Sequence, residues 1–149
     1  MVLVAVVLAW VCARPAVGDP VAEDPAFWLV RDGKPAATIV VADEPLPSNQ
    51  LAAEELRDHV ELISGAVLPI VSSSDEVEGP LVLIGASRRT EGLDLDVPSG
   101  FSRDLDEEGF VLKTLDDTLV LIGNDAGPVY RRKLLGLENT YKGSLFAVY

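Results

Sequence analysis

Residues 48–64, SNQLAAEELRDHVELIS, lie between two stretches rich in β-branched residues, ATIVVA at 37–42 and VLPIV at 67–71. Apolar residues recur in this segment at spacings of three and four, which is the pattern of one buried face of an amphipathic helix. That face comprises Ala52, Leu56, Val60 and Ile63, with Leu51 and His59 beside it. The stretch therefore predicts a strand, a helix and a second strand in succession, with the two strands parallel.

The residues at the ends of this segment predict where the helix begins and ends. Pro47 suits the first helical position, and the hydroxyl of Ser48 can cap the free N–H groups of the first turn. Gly65 can adopt the left-handed conformation that ends a helix.

The first 18 residues have the features of a secretory signal. Residues 2–11 form an apolar run that is shorter than the roughly 20 residues needed to cross a bilayer, and Ala16 and Gly18 supply a small-x-small cleavage pattern. Removing residues 1–18 from the 149-residue chain leaves 131 residues, which is enough for one domain. We therefore expect an exported protein, periplasmic or extracellular, without a membrane segment beyond the signal. The alternatives are a buried strand or an uncleaved anchor.

The net charge disfavours certain classes of ligand, and the cysteine content bears on how the domain is stabilised. The formal net charge is −12, which disfavours binding to nucleic acid or to anionic lipid. Cys12, the only cysteine, lies in the predicted signal, so the mature domain would be held together by packing alone.

The remaining chain predicts further strands and turns. Residues 27–30 and the strand at Thr38 are expected to form a hairpin through the Asp32-Gly33 turn. The apolar run 81–84 predicts a central strand covered on both faces, residues 87–91 a helical turn, and residues 109–123 a second hairpin through Asp116-Asp117. We thus expect an α+β fold: a two-layer sandwich with a mixed sheet of five to six strands and one main helix.

The segment 126–142 has no sustained period and predicts a long loop, with a helical turn at 133–137. Residues 143–149 predict the start of a second helix, with Ser144 as its cap. Because so short a helix is unstable alone, the pattern predicts a truncated domain.

The residues give little sign of catalysis. His59 is the only histidine, so neither a zinc site with several histidine or cysteine ligands nor a cysteine–histidine pair is expected. The acidic residues lie on the solvent-facing side of the helix, in a loop or in a turn, and none has apolar neighbours that would raise its pKa for acid catalysis. We therefore predict no catalytic, metal-binding or cofactor-binding residues, and no cofactor.

Two other groups of residues have features of binding sites. Glycine turns follow the apolar strands at Gly85 and Gly123, but neither carries a phosphate-binding signature, so strand ending is the expected role. The clusters Arg88-Arg89 and 131–133 could bind a carboxylate such as a uronic acid, or could balance local charge.

Several blocks of the chain resemble the N-terminal domain of α-glucuronidases, a domain related to those that precede the barrel in family 20 hexosaminidase-like proteins. The blocks are LAAEEL at 51–56 with ISGA at 63–66 and LPIV at 68–71, LIGAS at 83–87, EGFVLK at 108–113, LIGND at 121–125, and GSLFAVY at 143–149. The resemblance covers residues 35–149, and residues 126–142 depart from it.

The resemblance implies a non-catalytic accessory domain of an exported glycoside hydrolase-like protein that acts on xylan, uronic-acid or amino-sugar glycans. The catalytic carboxylates of such proteins lie in a following (β/α)8 barrel, so no catalytic residue transfers to this chain. The implied organisation is a signal at 1–18, a leader and first strand at 19–34, and the accessory domain at 35–149.

Two other classes of function remain open, a free-standing carbohydrate-binding module and a protein-interaction module. In the former, an oligosaccharide would contact exposed aromatic rings and arginines. The candidate sugar contacts are Trp28, Arg88, Arg89, Tyr130 and Tyr141.

Overall fold

The structure, a computed structural model, describes residues 27–98, 109–125 and 141–149. The predicted signal at 1–18 and the start of the leader at 19–26 lie outside the described residues. Most of the predicted loop at 126–142 also lies outside them, including Tyr130 and the predicted turn at 133–137. In chain order, the elements are β1 (Val30–Arg31), β2 (Lys34–Pro35), β3 (Thr38–Val41), α1 (Pro47–Ser64), β4 (Ile70–Ser72), β5 (Leu81–Ile84), β6 (Phe110–Leu115), β7 (Thr118–Gly123) and α2 (Gly143–Phe146).

Five of the strands form one mixed sheet in the order β4-β3-β5-β7-β6. The first four of these run parallel to one another, and β6 joins the edge antiparallel to β7. The predicted α+β class is confirmed, and so is the parallel strand–helix–strand unit formed by β3, α1 and β4. The apolar run 81–84 is the central strand, as expected.

The N-terminal hairpin has the predicted turn but a different second strand. Asp32 and Gly33 form the turn, with φ of 52° and 72°, but β1 pairs with β2 rather than with the strand at Thr38. A two-residue turn joins only the residues that flank it, and these are Arg31 and Lys34. β3 therefore stays available to pair with β4 and β5.

The ends of α1 agree only partly with the sequence prediction. Gly65 ends the helix with φ of 75°, and its N–H donates to Glu61 O at 2.7 Å. At the other end Pro47 is the first helical residue but Leu46 is the N-cap, without a side-chain cap hydrogen bond. The Ser48 prediction is wrong because this residue already lies inside the helix, where its hydroxyl donates to Asn49 Oδ1 at 3.4 Å.

The buried face of α1 is centred one turn earlier than the periodicity indicates. Ala52 and Ala53 are fully buried, whereas Leu56 and Val60 pack at the margin of the core. Ile63 was predicted on the buried face but is 85% exposed. Small residues at 52 and 53 let the first half of the helix approach the sheet closely, and the last turn extends beyond it.

The sheet separates two hydrophobic layers. On the helix-bearing face, both helices cover a large cluster that includes Ile39, Val82, Leu121 and Leu145. On the opposite face a smaller cluster, Val40, Leu83, Val120 and Ile122, is covered by apolar residues of the segment 93–97 and by Val111 and Leu115 of β6. Alternate residues of β3, β5 and β7 thus point into opposite layers, as the strand period requires.

The hairpin of β6 and β7 has the predicted turn, and Asp116 in it has a φ of 47°. Leu112 pairs with Leu121 across the strands and so lies on the helix-bearing face. Leu112 is nevertheless 61% exposed, so the helical layer leaves this part of β6 uncovered. Within the described ranges, no helix is both long and apolar enough to span a membrane.

Candidate functional site

The topology points to the edge of the sheet where the parallel strands end. After β3 the chain crosses to β4 on one side, while β5 pairs on the other side of β3. In open sheets of this kind, ligands bind in the crevice where the connections diverge, outside the carboxyl ends of the strands. Here that crevice lies between the segments that follow β3 and β5.

A cavity of about 310 Å³ occupies this position, and we call it the carboxyl-edge cleft. Its walls come from the segment after β3, the first turn of α1, the segments after β5 and β7, and the loop on the opposite face. The lining residues are Ala42, Glu44, Leu46, Asn49, Ala86, Val97, Pro98, Gly123, Asn124 and Asp125. A neighbouring lobe of about 410 Å³ shares Ala86, Val97 and Gly123 with the cleft.

Asn49 sits between α1 and the end of β5. It is buried, and a Cβ placed on Gly85 would lie 2.0 Å from Asn49 Nδ2. Gly85, at φ of 73°, therefore allows the first turn of α1 to touch the end of the central strand. Asn49 also lines the cleft.

Asp43 ties together the ends of three parallel strands. Its Oδ1 accepts from Ser73 Oγ at 3.0 Å and from the Ser74 N–H at 2.8 Å, and its Oδ2 accepts from Arg88 Nη2 at 2.7 Å. The hydrogen bonds from Ser74, supplemented by Ser73 and by the Arg88 charge, lower the pKa of Asp43 below its ordinary value of 3.8. The carboxylate therefore serves as a surface clamp in its ionised form.

Asp125 makes a comparable connection in the interior. It is 7% exposed, and its Oδ1 accepts from the Ser144 N–H at 2.9 Å while its Oδ2 accepts from Ser144 Oγ. Ser144 Oγ in turn accepts from the Gly123 N–H at 2.9 Å. The prediction that Ser144 caps α2 is wrong: Lys142 is the N-cap, and Ser144 is engaged by the end of β7 instead.

Two glycines make this second connection possible. A Cβ on Gly123 would lie 2.4 Å from the carbonyl carbon of Gly143, which is a distance that no side chain tolerates. The backbones also bond directly, since the Gly143 N–H donates to Asn124 O at 3.1 Å. Close backbone approach therefore places the start of α2 against the end of β7.

The predicted sugar-contacting residues lie in separate places. Arg88 and Arg89 are together at the carboxyl edge, where Arg88 pairs with Asp43 and Arg89 donates to Ser73 O and Asp75 O. Trp28 is 52% exposed beside the hairpin that precedes β3, near the opposite, amino edge of the sheet. Tyr141 is buried, and Tyr130 lies outside the described residues.

His59 and Arg57 lie on α1, away from the carboxyl-edge cleft. His59 is exposed, with Nδ1 at 2.7 Å from Glu55 O, and its ring meets that of Tyr149 edge to face at 6.4 Å. Arg57 pairs with Asp58 at 2.7 Å, and this hydrogen bond, with smaller contributions from the charges of Glu54 and Glu61, raises the pKa of its guanidinium. Across the part of the chain that the structure describes, no three His, Cys, Asp or Glu side chains group as a metal site would require.

The sequence interpretation missed Asp43, Glu44, Asn49 and Asp125. It treated Asn124-Asp125 as a strand ending and residues 43–47 as a connecting loop. A signal was present, because polar residues that directly follow parallel strands collect at one edge of a sheet. Using that signal requires the strand order, which the sequence pattern alone did not supply.

Comparison with known proteins adds no assignment, since no protein-family model, curated protein or solved structure matches the chain.

Proposed function

We propose that the chain is a non-catalytic accessory domain of an exported glycoside hydrolase-like protein that acts in polysaccharide breakdown. The domain would pack against a (β/α)8 barrel later in the same polypeptide and border its sugar cleft. Catalysis would belong to the barrel.

One observation carries this proposal: the residues that resemble the accessory-domain family are the ones that fix the helices on the sheet. The alanines of LAAEEL are fully buried in α1, and Gly85 of LIGAS accommodates Asn49. Gly123 of LIGND and Ser144 of GSLFAVY meet at the junction of β7 and α2. The likeness therefore resides in fold-determining positions, which is what an accessory domain without chemistry of its own would retain.

The native gene product provides the direct test. The intact mass of the protein from its source, with the nucleotide sequence after codon 149, should reveal a frame that continues for the roughly 250 residues of a barrel. A stop codon after Tyr149, with the short form accumulating, would contradict the accessory role.

The non-catalytic part of the proposal needs its own assay. The purified chain should release no product from aryl glucuronides, xylosides or N-acetylhexosaminides over long incubation. Hydrolysis that persists through repeated purification would contradict it.

A free-standing carbohydrate-binding module is a second candidate, favoured by the half-exposed ring of Trp28. Exposed aromatic faces commonly stack on sugar rings, and such a contact should quench tryptophan fluorescence. Titration with xylan and uronic-acid oligosaccharides tests this candidate. Unchanged fluorescence up to millimolar ligand would count against it.

A protein-interaction module is favoured by the exposed apolar side chains of the edge strand β6. Phe110 and Leu112 are 47% and 61% exposed on the side that the helices leave bare. Sedimentation of the purified chain tests this alternative through self-association, and a monomer at all concentrations would argue against it.

A further inference from the structure

The carboxyl-edge cleft has a lining whose chemistry selects among small ligands. Carboxylate and amide side chains stand beside apolar walls, and these polar groups are Glu44, Asp125, Asn49 and Asn124. Its volume of about 310 Å³ is at the lower end of the range for small-molecule sites, roughly 300–1,000 Å³. The cleft therefore suits a ligand of about one six-membered ring.

We propose that the carboxyl-edge cleft binds a neutral or amine-bearing polyol the size of one sugar ring. The choice of a sugar as the natural polyol rests on the proposed function in polysaccharide breakdown. The location and the charge preference rest on the cleft alone.

The charge of the lining decides against an acidic ligand. Glu44 is exposed, and none of the ten lining residues is a lysine or arginine, whereas the carboxylate of Asp125 is engaged by Ser144. Arg88 lines only the neighbouring lobe, and its guanidinium is bound to Asp43. A uronate would thus meet the exposed carboxylate of Glu44, with no lysine or arginine among the lining residues.

The first turn of α1 opposes this preference only weakly. The N-terminus of a helix carries a partial charge of about half an elementary charge, which is less than one full carboxylate. The N–H groups of Asn49 and Gln50 also donate to Leu46 O at 2.9 and 3.0 Å. The full charge of the exposed Glu44 carboxylate therefore outweighs the helix N-terminus in the cleft.

The polar and apolar walls of the cleft would contact different parts of a polyol. Glu44 accepts hydrogen bonds from hydroxyl or ammonium groups, and the amide of Asn49 can both donate and accept. Leu46, Val97 and Pro98 present carbon surfaces to the C–H face of a ring. Polyols offer both kinds of surface.

The test is a titration of the full chain, followed by amide chemical shifts in NMR, with glucosamine, glucose and glucuronate as probes. Glucosamine and glucose should shift the resonances of Glu44, Asn49 and Ala86, with an affinity for glucuronate about tenfold weaker. No shift at high millimolar concentrations of all three would overturn the proposal. Shifts confined to Trp28 would overturn it too, while leaving carbohydrate binding itself intact.

Two variants locate the site. Ala86→Leu places a larger side chain in the cleft at an exposed position, and should weaken glucosamine binding about tenfold or more. Thr114→Leu, a similar change on the exposed side of β6, is the matched control and should leave binding unchanged. Equal affinities in the two variants would place the ligand elsewhere.

Glu44→Gln keeps the proposal testable if Ala86→Leu fails to fold, because Glu44 is exposed. The variant should weaken glucosamine binding more than glucose binding and reduce the discrimination against glucuronate. An unchanged ratio of the three affinities would contradict the role of the acidic lining. The reading-frame test of the accessory role is independent of all these outcomes.

Discussion

Asp43 and Asp125 each follow a parallel strand, and each binds the backbone N–H and a hydroxyl of serine residues from a later segment. They differ in exposure: Asp125 is 7% exposed, whereas the Asp43 side chain is 37% exposed and also pairs with an exposed arginine. If Asp43 is removed, water can form hydrogen bonds with the groups that Asp43 had bound. Water cannot reach the groups that Asp125 binds. The comparison shows that the same hydrogen-bond pattern stabilises the fold to very different degrees according to its surroundings.

The largest effect is expected from removal of the buried carboxylate. Asp125→Ala leaves the N–H and hydroxyl of Ser144 without their acceptor in the interior, which should lower the free energy of unfolding by about 3 kcal/mol. Chemical denaturation followed by circular dichroism measures this change. Asp125→Asn retains one acceptor and should lose less; an alanine variant as stable as the wild type would show that the bond pattern contributes little even when buried.

The next prediction disrupts the buried site without touching its carboxylate. Gly123→Ala forces a Cβ to within 2.4 Å of the Gly143 backbone, and the displaced α2 should cost about 2 kcal/mol. Gly92→Ala is the control, since its φ is 83° but nothing lies within 4 Å of the added atom, so it reports backbone strain alone. Gly123 is not among the glycines with positive φ, so its variant adds no such strain, and a Gly123→Ala chain as stable as the wild type would mean that close approach at β7 is unimportant.

The exposed carboxylate should have a smaller effect that depends on pH. The folded pKa of Asp43 is lowered, so its contribution is complete above the unfolded pKa, near 3.8, and is lost as the pH falls through the folded value. The stability difference between the wild type and Asp43→Ala should therefore be small and constant at neutral pH, and should vanish in strong acid. Urea unfolding at several pH values measures this stability difference. A difference that grows in acid would contradict the lowered pKa of Asp43.

The smallest expected effect is on the pKa of Tyr149, whose hydroxyl lies beside the carboxylate of Glu55. Desolvation, followed by the charge of Glu55 and its hydrogen bond, raises the pKa of Tyr149 above 10.0. Because the folded pKa is raised, the associated stability is present below pH 10 and is lost as the pH rises through the folded value. Ultraviolet titration should show the pKa falling towards 10.0 in Glu55→Gln; an unchanged value would leave desolvation as the only cause.

Local patterns predicted most of the elements because their causes are local. Gly65 ends α1 through its own backbone conformation, and the turns at Asp32-Gly33 and Asp116-Asp117 follow from residues that tolerate positive φ. The prediction failed where a partner elsewhere in the chain decides. Ile63 has the right spacing for the core but extends past the sheet, and Ser144 is held by β7 rather than by its own helix.

The cleft depends even more on distant partners. Its lining comes from five segments, and no two of its polar side chains belong to a shared sequence motif, apart from the adjacent Asn124 and Asp125. Only the strand order brings residues 44, 49, 86 and 124 to one edge.

The sequence by itself determined the class of the fold, the parallel β3–α1–β4 unit, the central strand and the acidic character of the chain. These features follow from periodicity, turn chemistry and composition, each of which acts within a few residues. The tertiary structure alone decided which aspartate is buried, where Arg88 and Arg89 bind, and that a cleft opens at the carboxyl edge. Those outcomes depend on burial and distance between segments far apart in the chain, and a linear pattern contains neither.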